Sequence, residues 1–220
     1  MKRILLVVLI STSSIHLNAQ LSIAPEIGVN FAKTTYDAVG FTSDFDLKRR
    51  IGFRAGALVH LPVYKGFYVE PGLFFSMKGF REDFVETVSG VPVAYKASFN
   101  INYLEIPLNL GFRCRLGKAG ALFASAGPYL SYALGGNRTA KITVMGNMVE
   151  ELNDDMPFGD GVYDVEPVDI GFNFSIGYKS PIGLYIRGQY GLGLGNLSND
   201  SYFSVKNRVM SVSMGYAFKL

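Results

Sequence analysis

Apolar and polar residues alternate along most of this chain. From Phe67 to Lys78, one face carries Phe67, Val69, Pro71, Leu73, Phe75 and Met77, and the other Tyr68, Glu70, Gly72, Phe74, Ser76 and Lys78. A period of two is the signature of a strand. The same split recurs from Leu21 to Phe31, Val168 to Lys179 and Leu184 to Leu194. It closes the chain with Met210, Val212, Met214, Tyr216 and Phe218 against Ser211, Ser213, Gly215, Ala217 and Lys219. The pattern predicts eight strands, at 21–32, 51–62, 67–78, 99–114, 121–135, 167–179, 183–195 and 204–220. Each is long enough for the roughly 9–11 residues of a tilted membrane strand.

The connections add an orientation. Those after strands 2, 4 and 6 are short (63–66, 115–120 and 180–182), while 33–50, 79–98, 136–166 and 196–203 are mostly longer and more polar. Strict short/long alternation puts all short turns at one end, as in outer-membrane barrels with periplasmic turns and external loops. The expected fold is therefore an all-β, eight-stranded, antiparallel up-and-down transmembrane barrel. A soluble lipocalin-like barrel or sandwich is the alternative, with its apolar side filling the lumen. Against it, the apolar face is bulky, and Tyr178, Tyr216 and Phe218 fall at the turn end, where an aromatic girdle would lie.

The charges then find a place. In "INYLEIPLNLGF" (101–112), Leu104, Ile106, Leu108, Leu110 and Phe112 share one face, and Tyr103, Glu105, Pro107, Asn109 and Gly111 the other. The polar faces together hold Glu26, Arg54, Glu70, Glu105, Asn109, Arg113, Asp169, Arg187 and Gln189. An eight-stranded barrel is just wide enough for side chains to fill, and buried charge must be paired. These residues are expected to form a structural, salt-bridged plug, with Glu105 pairing Arg54 or Arg187.

Composition fits export. Lys2 and Arg3, the apolar run Ile4 to Ile10 and "LNA" at 17–19 read as a signal peptide over 1–19, leaving 20–220 as the barrel domain. Without Lys2 and Arg3, 19 basic residues face 18 acidic ones, a balance that argues for no nucleic-acid partner. Cys114 is the only cysteine, so there is no disulfide framework and no multi-cysteine metal site.

Several segments together resemble the PorT-like outer-membrane β-barrel family of Bacteroidetes: "YVEPGLFFSMKGF" (68–80), "INYLEIPLNLGFR" (101–113), "LFASAGPYLSYALG" (122–135), "YGLGLGNLS" (190–198) and "KNRVMSVSMGYAFKL" (206–220). They span essentially the whole chain after the signal, and "NYLEIP" is the most specific. The resemblance implies a small barrel in the outer membrane. The founding member is associated with type IX secretion and gliding.

Chemistry is sparse. Barrel-rim hydrolases need a His near the outer rim, because its proton exchanges near neutral pH. His60, the one His after the signal, sits beside a short turn and reads as a lumen or turn residue. The acids Glu150, Glu151, Asp154, Asp155, Asp160, Asp164 and Glu166 lack EF-hand spacing and read as a solvated external loop. "GLGLGN" (191–196) has no helix after it, so its glycines read as relief of crowding on the inner wall. No catalytic residue, cofactor or metal is expected. The resulting expectation is a non-enzymatic, monomeric barrel that contacts outer-membrane lipid and offers external loops to a protein partner. A narrow small-solute channel and a lipid-modifying enzyme are the alternatives.

Overall fold

The computed structural model describes residues 21–38, 48–162, 164–200 and 202–220. The signal-peptide reading of 1–19 falls outside the described residues. The strands are β1 (Ser22–Ala38), β2 (Lys48–Tyr64), β3 (Phe67–Val88), β4 (Val91–Arg115), β5 (Ala121–Val144), β6 (Asn147–Asp155), β7 (Val168–Lys179), β8 (Leu184–Gly193), β9 (Phe203–Tyr216) and β10 (Phe218–Lys219).

Antiparallel neighbours run β1-β2-β3-β4-β5-β7-β8-β9, and β1 pairs with β9 and β10 to close the ring. Strand β10 continues β9 past Ala217, so eight strands make the wall. Closure leaves the ring without an unpaired edge. The turns Lys65-Gly66, 116–120 and 180–183 gather at one end. Both described ends of the chain lie there too, where the Leu220 amide donates to the Leu21 carbonyl at 2.9 Å.

The two faces of the wall differ as a membrane requires. Ile27, Leu110 and Ile176 point outward and are 56%, 59% and 68% exposed, whereas Glu26, Glu70 and Asp169 are buried inside. Exposed apolar surface on this scale suits lipid rather than water. In a Cys114→Ser background, a cysteine at Leu104 is expected to react with a bilayer-phase thiol reagent. A cysteine at Glu105 is expected to resist it, and equal labelling at both would refute the assigned facing.

The outer end differs from expectation. The stretches 79–98 and 136–166 are largely strand rather than loop. Strands β3 and β4 run on to a two-residue turn at Ser89-Gly90, and β5 turns at Met145-Gly146 into β6, which was not foreseen. Both turns have positive φ at both residues (52° and 81°; 50° and 82°), the hairpin geometry that matches strand twist. In this extension charged and polar residues stand on both faces among the apolar ones, so the composition looks loop-like. Stacked rings stiffen it, Phe80 on Phe99 at 4.5 Å and Phe84 on Tyr95 at 5.0 Å. Lys48 donates to Asp83 at 2.9 Å and holds that carboxyl below its ordinary range.

Candidate functional site

The lumen holds two polar layers. The layer nearer the short turns centres on Arg187, whose Nη1 and Nη2 donate to the two Glu70 oxygens at 2.8 Å each. This fork is the strongest geometry available to a guanidinium and a carboxylate. Its Nε faces Glu26 Oε2 at 3.2 Å, close enough for ion pairing but not aligned as a hydrogen bond. Glu26 also accepts from Tyr185 (2.9 Å) and Ser213 (2.8 Å). Glu70 accepts from Asn109 (3.2 Å) and meets His60 Nε2 at 2.9 Å. Arg54 approaches Glu26 only to 3.7 Å and lies over the Phe74 ring, 4.2 Å from its centroid.

The outer layer centres on Lys78. Its Nζ sits 2.9 Å from Glu105 and 3.1 Å from Asp169, and donates to Ser131 at 3.1 Å. The Tyr129 ring lies 4.4 Å away and the Tyr103 ring 5.0 Å. Asp169 also accepts from Asn207 at 2.9 Å. Between the layers, Asn30 donates to Ser76 at 3.0 Å and accepts from Ser211 at 2.7 Å.

Two expectations change. Glu105 pairs with Lys78, not with Arg54 or Arg187. Arg54 lines the same small void as Glu105 but lies over the Phe74 ring and turns toward Glu26, and Arg187 is held by Glu70, while the long Lys78 stem reaches diagonally from β3. Arg113, expected in the plug, is half-buried at the turn-end rim, its guanidinium 5.1 Å above the Tyr68 ring. Gln189 is half-buried and borders a small void shared with Arg54, Lys78 and Glu105. Lys78 ends the polar face of its strand and could have been read from that position. Asn207 and the lumen-facing tyrosines carry no charge to mark them. His60 faces the lumen, with its Nε2 2.9 Å from Glu70 and its Nδ1 3.3 Å from Ser22 Oγ.

The plug is closely packed. Two voids of about 10 Å³ each lie beside it, one near Lys78 and Glu105 and one near His60 and Arg113. Each has the volume of roughly one water molecule. Gly111 and Gly177 make room for aromatic fill, since a Cβ there would come within 2.2 Å of the Tyr68 ring and 2.3 Å of the Phe123 ring.

The outer mouth is covered. Met156, Phe158 and Val165, from the segment after β6, pack on Ile101, Tyr103 and Ala133 at the top of the lumen. Asn199 ties this segment to the β8–β9 connection by donating to the carbonyls of Gly159 (2.7 Å), Gly161 (3.1 Å) and Asp164 (3.2 Å). The acids Glu150, Glu151, Asp154 and Asp155 lie on exposed β6 rather than in a loop. Glu151 pairs with Lys141 at 2.8 Å and Asp154 with Arg138 at 3.6 Å.

Residues 14–199 match the family described as outer membrane protein beta-barrel domain. Among solved structures, the chain is similar to Ail, the attachment invasion locus protein of Yersinia pestis, solved with the heparin analogue sucrose octasulfate. That match has 16% identity, 91% of this chain and 99% of that chain covered, and a TM-score of 0.41. It is also similar to Neisserial surface protein A, at 10% identity, with 89% and 97% covered and a TM-score of 0.44. No match was found among curated proteins.

Proposed function

The chain belongs to the outer membrane protein beta-barrel domain family, and from that premise we propose that it is a PorT-like, non-enzymatic anchor that presents a structured sheet to a protein partner outside the cell. The observation carrying this reading is the contrast between the two halves of the molecule. The membrane half is filled by ion pairs and capped at its mouth, whereas β3, β4, β5 and β6 continue beyond the wall as an antiparallel sheet. A filled lumen suits anchoring rather than transport.

The projecting sheet has two features suited to recognition. Among the described residues, β6 pairs only with β5, so its far edge has free backbone groups to which an extended segment could add. Across the sheet from that edge, on β3, Phe84 is 52% exposed on the face that also carries Tyr95. Export by a signal over 1–19 and a monomeric barrel belong to the same reading. His60 supports a non-enzymatic role, because it is held against Glu70 at the end of the lumen away from the outer rim.

Photo-crosslinking residues placed at Phe84 and Glu150 in native membranes are expected to capture one recurring protein. The same residue placed at Lys118, on the opposite end, should not capture it. A crosslinking pattern indistinguishable between the two ends would reject the docking role. In planar bilayers the purified barrel is expected to be electrically silent, and steady unitary currents would favour the channel instead.

A further inference from the structure

We infer that the outer rim of β9, β1, β2 and β3 is a binding site for a phosphorylated lipid of the outer leaflet, with an acyl chain lying in a groove on the barrel wall just below. The inference uses the orientation that puts the short turns in the periplasm. It does not depend on the external sheet having a protein partner.

The first observation is where the outward apolar rows end. On β1 the outward residues Ile27, Val29 and Phe31 are followed by Lys33, and on β9 Val212 and Met210 are followed by Arg208 and Lys206. On β2 Phe53 and Ile51 give way to Arg49, and on β3 Phe75 and Met77 give way, past Gly79, to Arg81. Register brings these together, with Lys33 opposite Arg208 and Arg81 opposite Lys48. Elsewhere the outward rows end differently, in Asn102 and Asn100 on β4 and in Leu192 and Leu194 after Tyr190 on β8. The cations therefore form a patch on one side of the rim and not a ring.

This patch is short of negative charge. Among the described residues, Lys48 is paired with Asp83, while no carboxylate lies within ion-pair distance of Lys33, Arg49, Arg81, Lys206 or Arg208. Like charges gathered at the boundary of an apolar band repel unless an anion joins them. At that depth the available anion is a lipid headgroup, and phosphate matches the fork of a guanidinium.

The second observation is independent of charge. A groove of about 840 Å³ starts beside Arg49, Phe31 and Met210 and crosses the outer wall over Gly188 and Ala126. Its size falls in the roughly 300–1,000 Å³ range of small-molecule sites. Small residues make the floor, and a Cβ added to Gly188 would meet only the Ile176 carbonyl, at 3.9 Å. An acyl chain fits an apolar channel opening under a cationic rim. A second copy of this barrel fits poorly, because a two-fold contact would set the same cations against one another.

The test is native mass spectrometry of the processed full-length barrel in detergent, titrated with diphosphorylated lipid A, its dephosphorylated form or inorganic pyrophosphate. One diphosphorylated lipid is expected to be retained, with the dephosphorylated form at least about tenfold weaker and affinity falling as salt rises. Arg49→Gln with Arg81→Gln is expected to weaken binding roughly 10- to 30-fold, while the control Arg115→Gln with Lys118→Gln at the turn end leaves it unchanged. Gly188→Leu is expected to weaken the lipid without changing pyrophosphate binding. Heat-modified gel mobility reports folding of each variant, and the salt series on the unaltered protein needs no variant. Equal binding of the dephosphorylated lipid, an unchanged affinity in the Arg49/Arg81 variant, or displacement of the lipid by equimolar pyrophosphate would overturn the site.

Discussion

Replacing Arg187 with leucine is expected to destabilise the barrel by about 3–5 kcal/mol, the usual effect of removing one member of a buried ion pair. The substitution removes the fork on Glu70 and the charge facing Glu26 at once. Neither carboxylate can turn to solvent, because both are buried in the lumen. Glu70 keeps His60 and Asn109, and Glu26 keeps Tyr185, Ser213 and a distant Arg54, which is why the barrel should still assemble. Arg187→Lys should recover only part of the loss, since a single ammonium cannot reproduce a two-point contact. The chain has no Trp, so far-UV circular dichroism in urea or heat-modified gel mobility is the suitable readout. Equal urea midpoints for Arg187→Leu and the unaltered barrel would show that the lower layer does not bind the wall together.

Lys78→Met is expected to have an effect of similar size, about 3–5 kcal/mol, and larger than that of Glu105→Leu. The reason is the asymmetry of the outer layer. Lys78 is the cation shared by Glu105 and Asp169, so its loss leaves two buried carboxylates facing each other. Loss of Glu105 leaves Lys78 still paired with Asp169, and Asp169 still bonded to Asn207 and Tyr129. Insertion should persist in both variants, because the outward face is untouched. Urea midpoints should therefore fall in the order unaltered, Glu105→Leu, Lys78→Met. The reverse order of the two variants would mean that Lys78 is not what holds this layer.

Much of the wall was legible because a strand has only two faces. Once Leu104 was placed outward, Glu105 had to be inward, and the same step assigned Glu26, Glu70, Asp169 and Arg187. The external sheet was not legible for the same reason. From Arg81 to Val88 and along β6, both faces are polar or mixed, so alternation carries no signal. The Ser89-Gly90 and Met145-Gly146 turns were the available cue, and they sat in stretches already assigned to loops.

Partner choice lay further from reach. Arg187 and Glu70 are 117 positions apart, and Lys78 and Asp169 are 91 apart. Which cation meets which carboxylate depends on strand tilt and stagger, on side-chain length, and on bulges such as the one on β2 between Arg49 and Arg54.

By itself, then, the sequence determined the number of wall strands, the facing of residues along the regular wall segments and the inversion of apolar surface toward lipid. These are local consequences of a period of two and of connection length. Only the tertiary structure decided that Lys78 is the hub of the outer layer, that Met156, Phe158 and Val165 cover the mouth, that the external strands form a sheet, and that cations from four wall strands meet at one rim. Each of those depends on closing the ring, which joins residues far apart in the chain at distances that no local pattern encodes.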